Sequence, residues 1–456
     1  MTALGARRDD GMAKSLKPRS GGSLRAASGA MRRLGWGVAD QAVSSLTNVA
    51  VSIYIVHALG AVQFGAFSLA YVTYGFALNA SRGLSTDPLM VRFSGAKIGT
   101  WRLAVANCTG AALVVGLVAG LLSLAAAAVL KGTIGAAFLA LGLTMPLLML
   151  QDSWRFSFFA LGRGVHAFAN DSIWAVALIP ALLLLGRTGH ADVFWFTFAW
   201  GATAGLGAVA GIFQSRVRPQ LLGASHWFTR HRDLGVRYML EGTSNSAVTQ
   251  VRGYGTGLIV GLAAVGYLQA SITLFGPMTI LFLGMGLVTI PEAARVLRRS
   301  PNHLPLFCGL VSVSLTLAVI GWSVVLLVAV PRGLGGWLLG PTVWRPTYPL
   351  IVPQMLCYLG QGLSGGAGSG LHGLGAAKRS LRLVLSLALV SAVFTVVGAL
   401  LYGVEGTVYG MAIGAWLGVP IAWWQFRKAW QEYGKVSADR RNQRTSLDRP
   451  DSAERR

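Results

Sequence analysis

Long apolar runs separated by short polar or basic segments fill the chain from residue 36 to residue 426. A helix that crosses bilayer hydrocarbon needs roughly 20 mostly apolar residues. That length divides the chain into twelve candidate spans, at 36–58, 64–90, 103–130, 133–153, 165–186, 191–214, 236–260, 264–291, 304–330, 345–371, 380–402 and 405–426. The first, seventh and tenth are the least apolar. Span 1 opens with "GWGVADQAVSSLTN" (35–48), which puts Asp40, Gln41, Ser44, Ser45, Thr47 and Asn48 ahead of an ordinary apolar stretch.

The polar residues of these spans fall on faces. Asp40, Ser44, Thr47 and Asn48 follow an i, i+4, i+7, i+8 pattern, and Glu241, Asn245, Thr249 and Arg252 in span 7 follow i, i+4, i+8, i+11. A charge at the centre of a lipid-facing helix costs about 2.5–3.5 kcal/mol on insertion scales. A wet cavity between helices removes most of that cost, so the two stripes point to an aqueous cavity lined by spans 1 and 7. Ser44, Ser45 and Thr47 fit helix–helix packing equally well. Arg82, inside span 2, is a further candidate cation for the cavity.

The composition places the chain in the membrane: 54% of its 456 residues are hydrophobic and 12% are charged, against about 25% charged in soluble domains. The net charge of +23 would suggest nucleic acid in a soluble protein, but its distribution says otherwise. With the N-terminus inside, 33 of the 39 Lys and Arg fall at the inner face. Only Lys131, Arg187, Arg332 and Arg345 fall outside, and Arg82 and Arg252 lie within spans. This is the positive-inside pattern, and it puts both termini in the cytoplasm. The charge then serves topology and contact with anionic lipid, and no nucleic-acid partner is expected. Cys108, Cys308 and Cys357 all lie in apolar runs and read as small buried hydrophobes.

An internal repeat sets the architecture. Adding 201 to the numbering of "VQFGAFSLAYVTYGF" (62–76) brings it onto "AVGYLQASITLFGP" (264–277), with Gly65 on Gly266, and the same shift puts Asp40 on Glu241. The expectation is an all-α membrane protein of about twelve helices in two pseudo-symmetric six-helix lobes around a central cavity. Substrate sites in such transporters sit between the halves near mid-membrane. The divisions are a basic unstructured tail (1–33), an N-terminal lobe (34–215), a cytoplasmic linker (216–235), a C-terminal lobe (236–430) and a charged unstructured tail (431–456).

Other motifs read as structural. Asp87-Pro88 ends or kinks span 2, and Arg82 could reach Asp87 only loosely. Glu292 pairs with Arg295 at i+3, and Asp152 with Arg155 is read in the same way. Asp171, near Arg163, is placed at the membrane interface. The Gly-dense "GQGLSGGAGSGLHGLGAAKRS" (360–380) has no Gly-Lys-Ser/Thr at P-loop spacing, and His372 within it is read as an interfacial polar residue. The only external acids, Asp192 and Glu405, are too few for glycosyl chemistry, so no enzyme is expected.

The stretch "GWGVADQAVSSLTNVAVSIYIVHALGAVQFGAFSLAYVTYGF" resembles the opening of Wzx-type polysaccharide flippases, with their polar first helix and "LG…FG.F.LA" turn. "QDSWRFSFFALGRGVHAFANDSIW" (151–174) and "LLGPTVWRPTYPLIVPQ" (338–354) are similar to later stretches of the same proteins, and the likeness covers residues 30–430. It implies a place in the multidrug/oligosaccharidyl-lipid/polysaccharide exporter superfamily: a V-shaped bundle in a bacterial inner membrane, working by alternating access. The implied cargo is an oligosaccharide on a polyprenyl diphosphate, with other polysaccharide-assembly proteins as partners. Arg252, Arg82, Asp40 and Glu241 occupy the matching spans of the two halves. Lipid II flippases of this superfamily carry two further spans that this chain lacks. No cofactor is implied. Coupling to a proton or sodium gradient stays open, with Asp40 or Glu241 as the ion ligand. The competing readings are a multidrug cation antiporter and a membrane-embedded glycan polymerase or ligase.

Overall fold

The computed structural model describes residues 20–329 and 332–447, without the side chains of 20–44, 245, 436–447 and a few others. The run Ser20–Ser81 breaks at Gly60, where φ is +72°, into α1 (20–59) and the start of α2. α2 continues through a π-turn, Arg82–Thr86, to Phe93. Then follow α3 (Ile98–Val129), α4 (Gly132–Ala160), α5 (Gly164–Arg187), α6 (Val193–Ser215) and α7 (Gly223–Ile259). α8 joins Leu262–Leu274 to Gly276–Arg299, and α9 joins Leu304–Val324 to a π-turn, Val325–Ala329. Two short helices, Arg332–Leu339 and Pro341–Thr347, precede α10 (Ile351–Gly373). The run Ala377–Leu447 breaks at Tyr402 and Gly403 into α11 (377–401) and α12 (404–447).

This is an all-α membrane bundle of twelve helices in two six-helix lobes. Among the described residues eight helical runs are long and apolar enough to cross a membrane, and two of them, Ser45–Phe93 and Lys378–Lys435, hold two spans each. α7 and α10 fall below that threshold because of their polar residues, and they complete the twelve. The helices overrun the expected limits at the end that bears the termini. α1 begins at Ser20, α7 takes in most of the linker, and α12 runs to Leu447, so parts of both expected tails are helical.

Small residues let the helices approach closely, which in a bilayer replaces hydrophobic drive with contact area. A Cβ on Gly366 of α10 would overlap the Cys308 carbonyl of α9, and Gly398 and Gly406 meet backbone to backbone between α11 and α12. The repeat appears in the backbone itself. Gly60 and Gly261, related by the same shift of 201, both take positive φ at the turn from the first to the second helix of their lobe. Just beyond them α2 crosses α8. A Cβ on Gly65 would strike the carbonyl of Leu262, and a Cβ on Gly266 would strike the carbonyl of Ala61. These two contacts exchange under the shift, which is the signature of a twofold interface.

The cores reflect that joint. At the end away from the termini one apolar cluster spans both lobes, with Ile55, Phe64 and Phe67 packed with Phe275, Val319, Leu339 and Val343. At the other end each lobe has its own core. One holds Leu89, Trp101, Trp154, Phe158 and Trp227, and the other holds Leu297, Cys308, Leu371 and Phe426. The three cysteines are free and buried, as expected.

The segment between the lobes is docked on the first of them. The backbone N–H of Gln220 donates to Ala106 O (2.8 Å), and Trp227 Nε1 donates to Leu84 O in the π-turn (3.2 Å). Arg92 at the end of α2 donates to Asp233 (2.6 Å), to Arg230 O (3.2 Å) and to His231 Nδ1 (2.7 Å). Because Arg is a donor only, His231 must accept through an unprotonated Nδ1. Burial, with Arg92 and Arg230 beside it, holds the His231 imidazole below its ordinary range.

Two outcomes follow from this packing. Gly366→Ala lowers the unfolding temperature in detergent by the equivalent of about 1–3 kcal/mol of overpacking. Gly368→Ala, which faces open space, does not. The docking of 216–235 is present above the ordinary His range and is lost as pH falls through the lowered His231 value. Hydrogen exchange of that segment therefore rises on acidification, and His231→Asn, which keeps an acceptor but cannot titrate, flattens the response.

Candidate functional site

α7 meets α2 along one of its faces. Asn79 Nδ2 donates to Ser246 Oγ (2.7 Å), Gln250 Nε2 donates to Val72 O (2.7 Å), and the hydroxyls of Thr73 and Tyr254 are in contact. Ser246, Gln250 and Tyr254 recur every four residues, so the stripe of Glu241, Asn245, Thr249 and Arg252 lies on the neighbouring face. Thr249 and Arg252 are half-buried and Glu241 is exposed. Arg252 lies near Cys357 and Tyr358 of α10. Tyr358 is fixed by Thr279 (2.9 Å between hydroxyl oxygens) and by stacking on Phe275 with ring centroids 5.0 Å apart. Among the described residues the Arg252 guanidinium has no hydrogen-bond or ion-pair partner. Asp40, Ser44 and Asn245 lie outside the residues whose side chains are described.

Arg82 has a different setting. The π-turn inserts one residue at the point where Arg82 stands, and Gly83 lets the turn sit against the backbone of Met239. Arg82 grips Asp152 of α4 with two hydrogen bonds, Nε to Oδ2 at 2.9 Å and Nη2 to Oδ1 at 2.6 Å. Its Cζ also lies 4.8 Å from the centre of the Phe156 ring. A bidentate carboxylate on a facing helix meets guanidinium geometry better than Asp87, five positions along the chain, could. Asp152 thus has its bidentate partner on a facing helix. Arg155 pairs with Asp171 (3.4 Å), which is buried inside the lobe rather than at the interface near Arg163. Glu292 and Arg295 pair as expected (2.8 Å).

Behind these pairs runs a buried amide network. Gln151 Nε2 donates to Asp171 (2.8 Å) and to Asn170 Oδ1 (3.3 Å), while Asn170 Nδ2 donates to Gly207 O (2.7 Å) and to Gln214 Oε1 (3.2 Å). It ties α4, α5 and α6 together. Asn48 and Thr47 of α1 open onto a small pocket against Asp171, Trp174, Ala175 and Leu178. The polar stripe of α1 thus faces the interior of its own lobe at this level. The network was missed in the sequence although its residues fall within spans 4, 5 and 6. Of its residues the sequence reading places only Asp171, at the interface, because it stands near the start of its span.

No protein-family profile matches the chain, and no curated protein matches it in sequence. Solved structures do match. A multidrug resistance transporter of the MATE family of the MOP superfamily, in an inward-facing conformation, superposes with a TM-score of 0.70 at 14% identity over 86% of this chain and 96% of its own. The lipid II flippase MurJ in an inward closed conformation gives 0.66 at 11% identity over 92% and 94%. An outward-facing MATE family transporter gives 0.55 at 14% identity over 87% and 94%. At these identities the likeness is one of fold: the chain has the architecture of MOP superfamily transporters, and the inward-facing arrangement fits it better than the outward-facing one.

Proposed function

We propose that this protein is a flippase of the Wzx type, which moves a polyprenyl-diphosphate-linked oligosaccharide from the cytoplasmic to the outer leaflet. The observation that carries this reading is Arg252, a half-buried arginine between α7 and α10 with no anionic partner among the described residues. A guanidinium left uncompensated inside a membrane bundle is costly, and a diphosphate satisfies it in the fork geometry that arginine offers. Thr249 and its polar neighbours on α7 supply partners for sugar hydroxyls, and the prenyl chain stays in lipid. The basic ends of the helices face the cytoplasm and its anionic lipids. Asp40 or Glu241 takes the coupling ion, a proton or sodium.

The two arginines divide the work. Arg82 is held rigid by Asp152 and forms part of the cavity wall as a neutral pair, whereas Arg252 supplies net charge. Structural neighbours include multidrug transporters. The buried acids of the first lobe, Asp152 and Asp171, are each engaged by an arginine and so are not open to a cationic drug.

Two outcomes test the reading. In a strain that depends on the surface glycan, Arg252→Ala reduces exported glycan roughly ten- to a hundredfold, the equivalent of a charged hydrogen bond worth about 1.5–3 kcal/mol. Lipid-linked oligosaccharide then accumulates on the inner leaflet. Undiminished export removes Arg252 from the account. Separately, Asp152→Ala leaves Arg82 half-buried and unpaired, and lowers stability by about 3–5 kcal/mol. The exchanged pair, Arg82→Asp with Asp152→Arg, recovers more than half of that loss in thermal unfolding.

A further inference from the structure

At the end of the bundle away from the termini, the two lobes come to backbone contact at one point. α2 and α8 start there, one from each lobe, and they cross at Gly65 and Gly266 with no room for a Cβ on either. Inward of the crossing, Phe67 and Ala70 of α2 are buried in an apolar core that both lobes share. The short helix Pro341–Thr347 lies over the same end, with Val343 and Trp344 buried in that core and Gly340 beside His57 of α1. Ten residues beyond Gly65, Gly75 in the same helix meets nothing within 4 Å. The absence of side chain at Gly65 and Gly266 therefore answers to the crossing and not to the helix.

We propose that Gly65 and Gly266 set the closed state of the outer gate: they let the two lobes seal to backbone contact, and any side chain at either position wedges the gate open. This rests on the reading of the chain as an alternating-access transporter, because only a protein that must open this end has a gate there. In that setting a bulky residue acts by differential fit. It clashes with the closed arrangement alone and shifts the population toward the open one. The pseudo-twofold relation makes the two positions equivalent, so a wedge on either side has the same effect, and a pair of wedges exceeds one.

The test uses the full chain in membranes and needs no cargo. Cysteines are placed at Ala61→Cys and Leu262→Cys and bridged with a short bis-maleimide; the native cysteines are buried. The parent chain cross-links readily, and the bridged form leaves a reporter at Ala70→Cys unlabelled by an impermeant maleimide. Gly65→Leu or Gly266→Leu slows cross-linking several-fold and raises labelling of Ala70→Cys by a similar factor. The alanine variants give a smaller change of the same sign, and Gly75→Leu gives none. If the leucine variants fail to insert, the alanine series and the bridged parent decide the matter alone. Cross-linking and labelling at the parental rate in glycine-substituted chains that fold overturn the proposal, as does a parent chain that does not cross-link. Loss of the lipid-linked cargo reading, with these results intact, leaves the gate standing.

Discussion

The contact on which the rest of the molecule depends is the crossing of α2 and α8. Two helices approach to backbone contact where a side chain is missing at the crossing, and the chain places Gly65 and Gly266 at that point. Because the two contacts exchange under one shift in numbering, a single geometric rule joins the lobes. The shared apolar core gathers around this joint. At the other end each lobe carries a separate core.

Charge is the second constraint. Inside a membrane bundle each ionised group needs a partner or water. The N-terminal lobe meets that demand internally: Arg82 with Asp152, Arg155 with Asp171, and an amide network behind them. α7 does not do so for Arg252. The asymmetry lies outside the repeat, since the positions equivalent to Arg82 and Arg252 in the other lobe are Leu283 and Val51. The scaffold is therefore twofold and the chemistry within it is not. A carrier of an asymmetric amphiphile, with its anion, sugars and hydrocarbon in sequence, has reason to break its symmetry in this way.

Much of this was legible in the chain. Span length, loop charge and the shift of 201 suffice for twelve helices and two lobes, because hydrocarbon thickness and backbone satisfaction leave few alternatives. The connector was less legible. Residues 223–235 read as a polar linker, yet they are helical because Trp227 and His231 find a docking surface on α2 that no local pattern announces. The ion pairs were the hardest to foresee. Asp152 lies three residues from Arg155 and looks like a local pair, but the π-turn at Arg82 brings a better partner from another helix. Pairing across helices depends on rotation about their axes, and a sequence does not state that rotation.

In the proposed mechanism the two twofold-related lobes rock about their shared core and expose the site beside Arg252 to one side at a time. Electron–electron distance measurements in nanodiscs test it most directly. One spin pair is placed across the lobes at the end bearing the termini, and a second is placed across the α2–α8 crossing. On addition of a synthetic polyprenyl-diphosphate oligosaccharide, the account predicts that the first distance shortens while the second lengthens. Distances that stay fixed, or that change in the same direction at both ends, would contradict it.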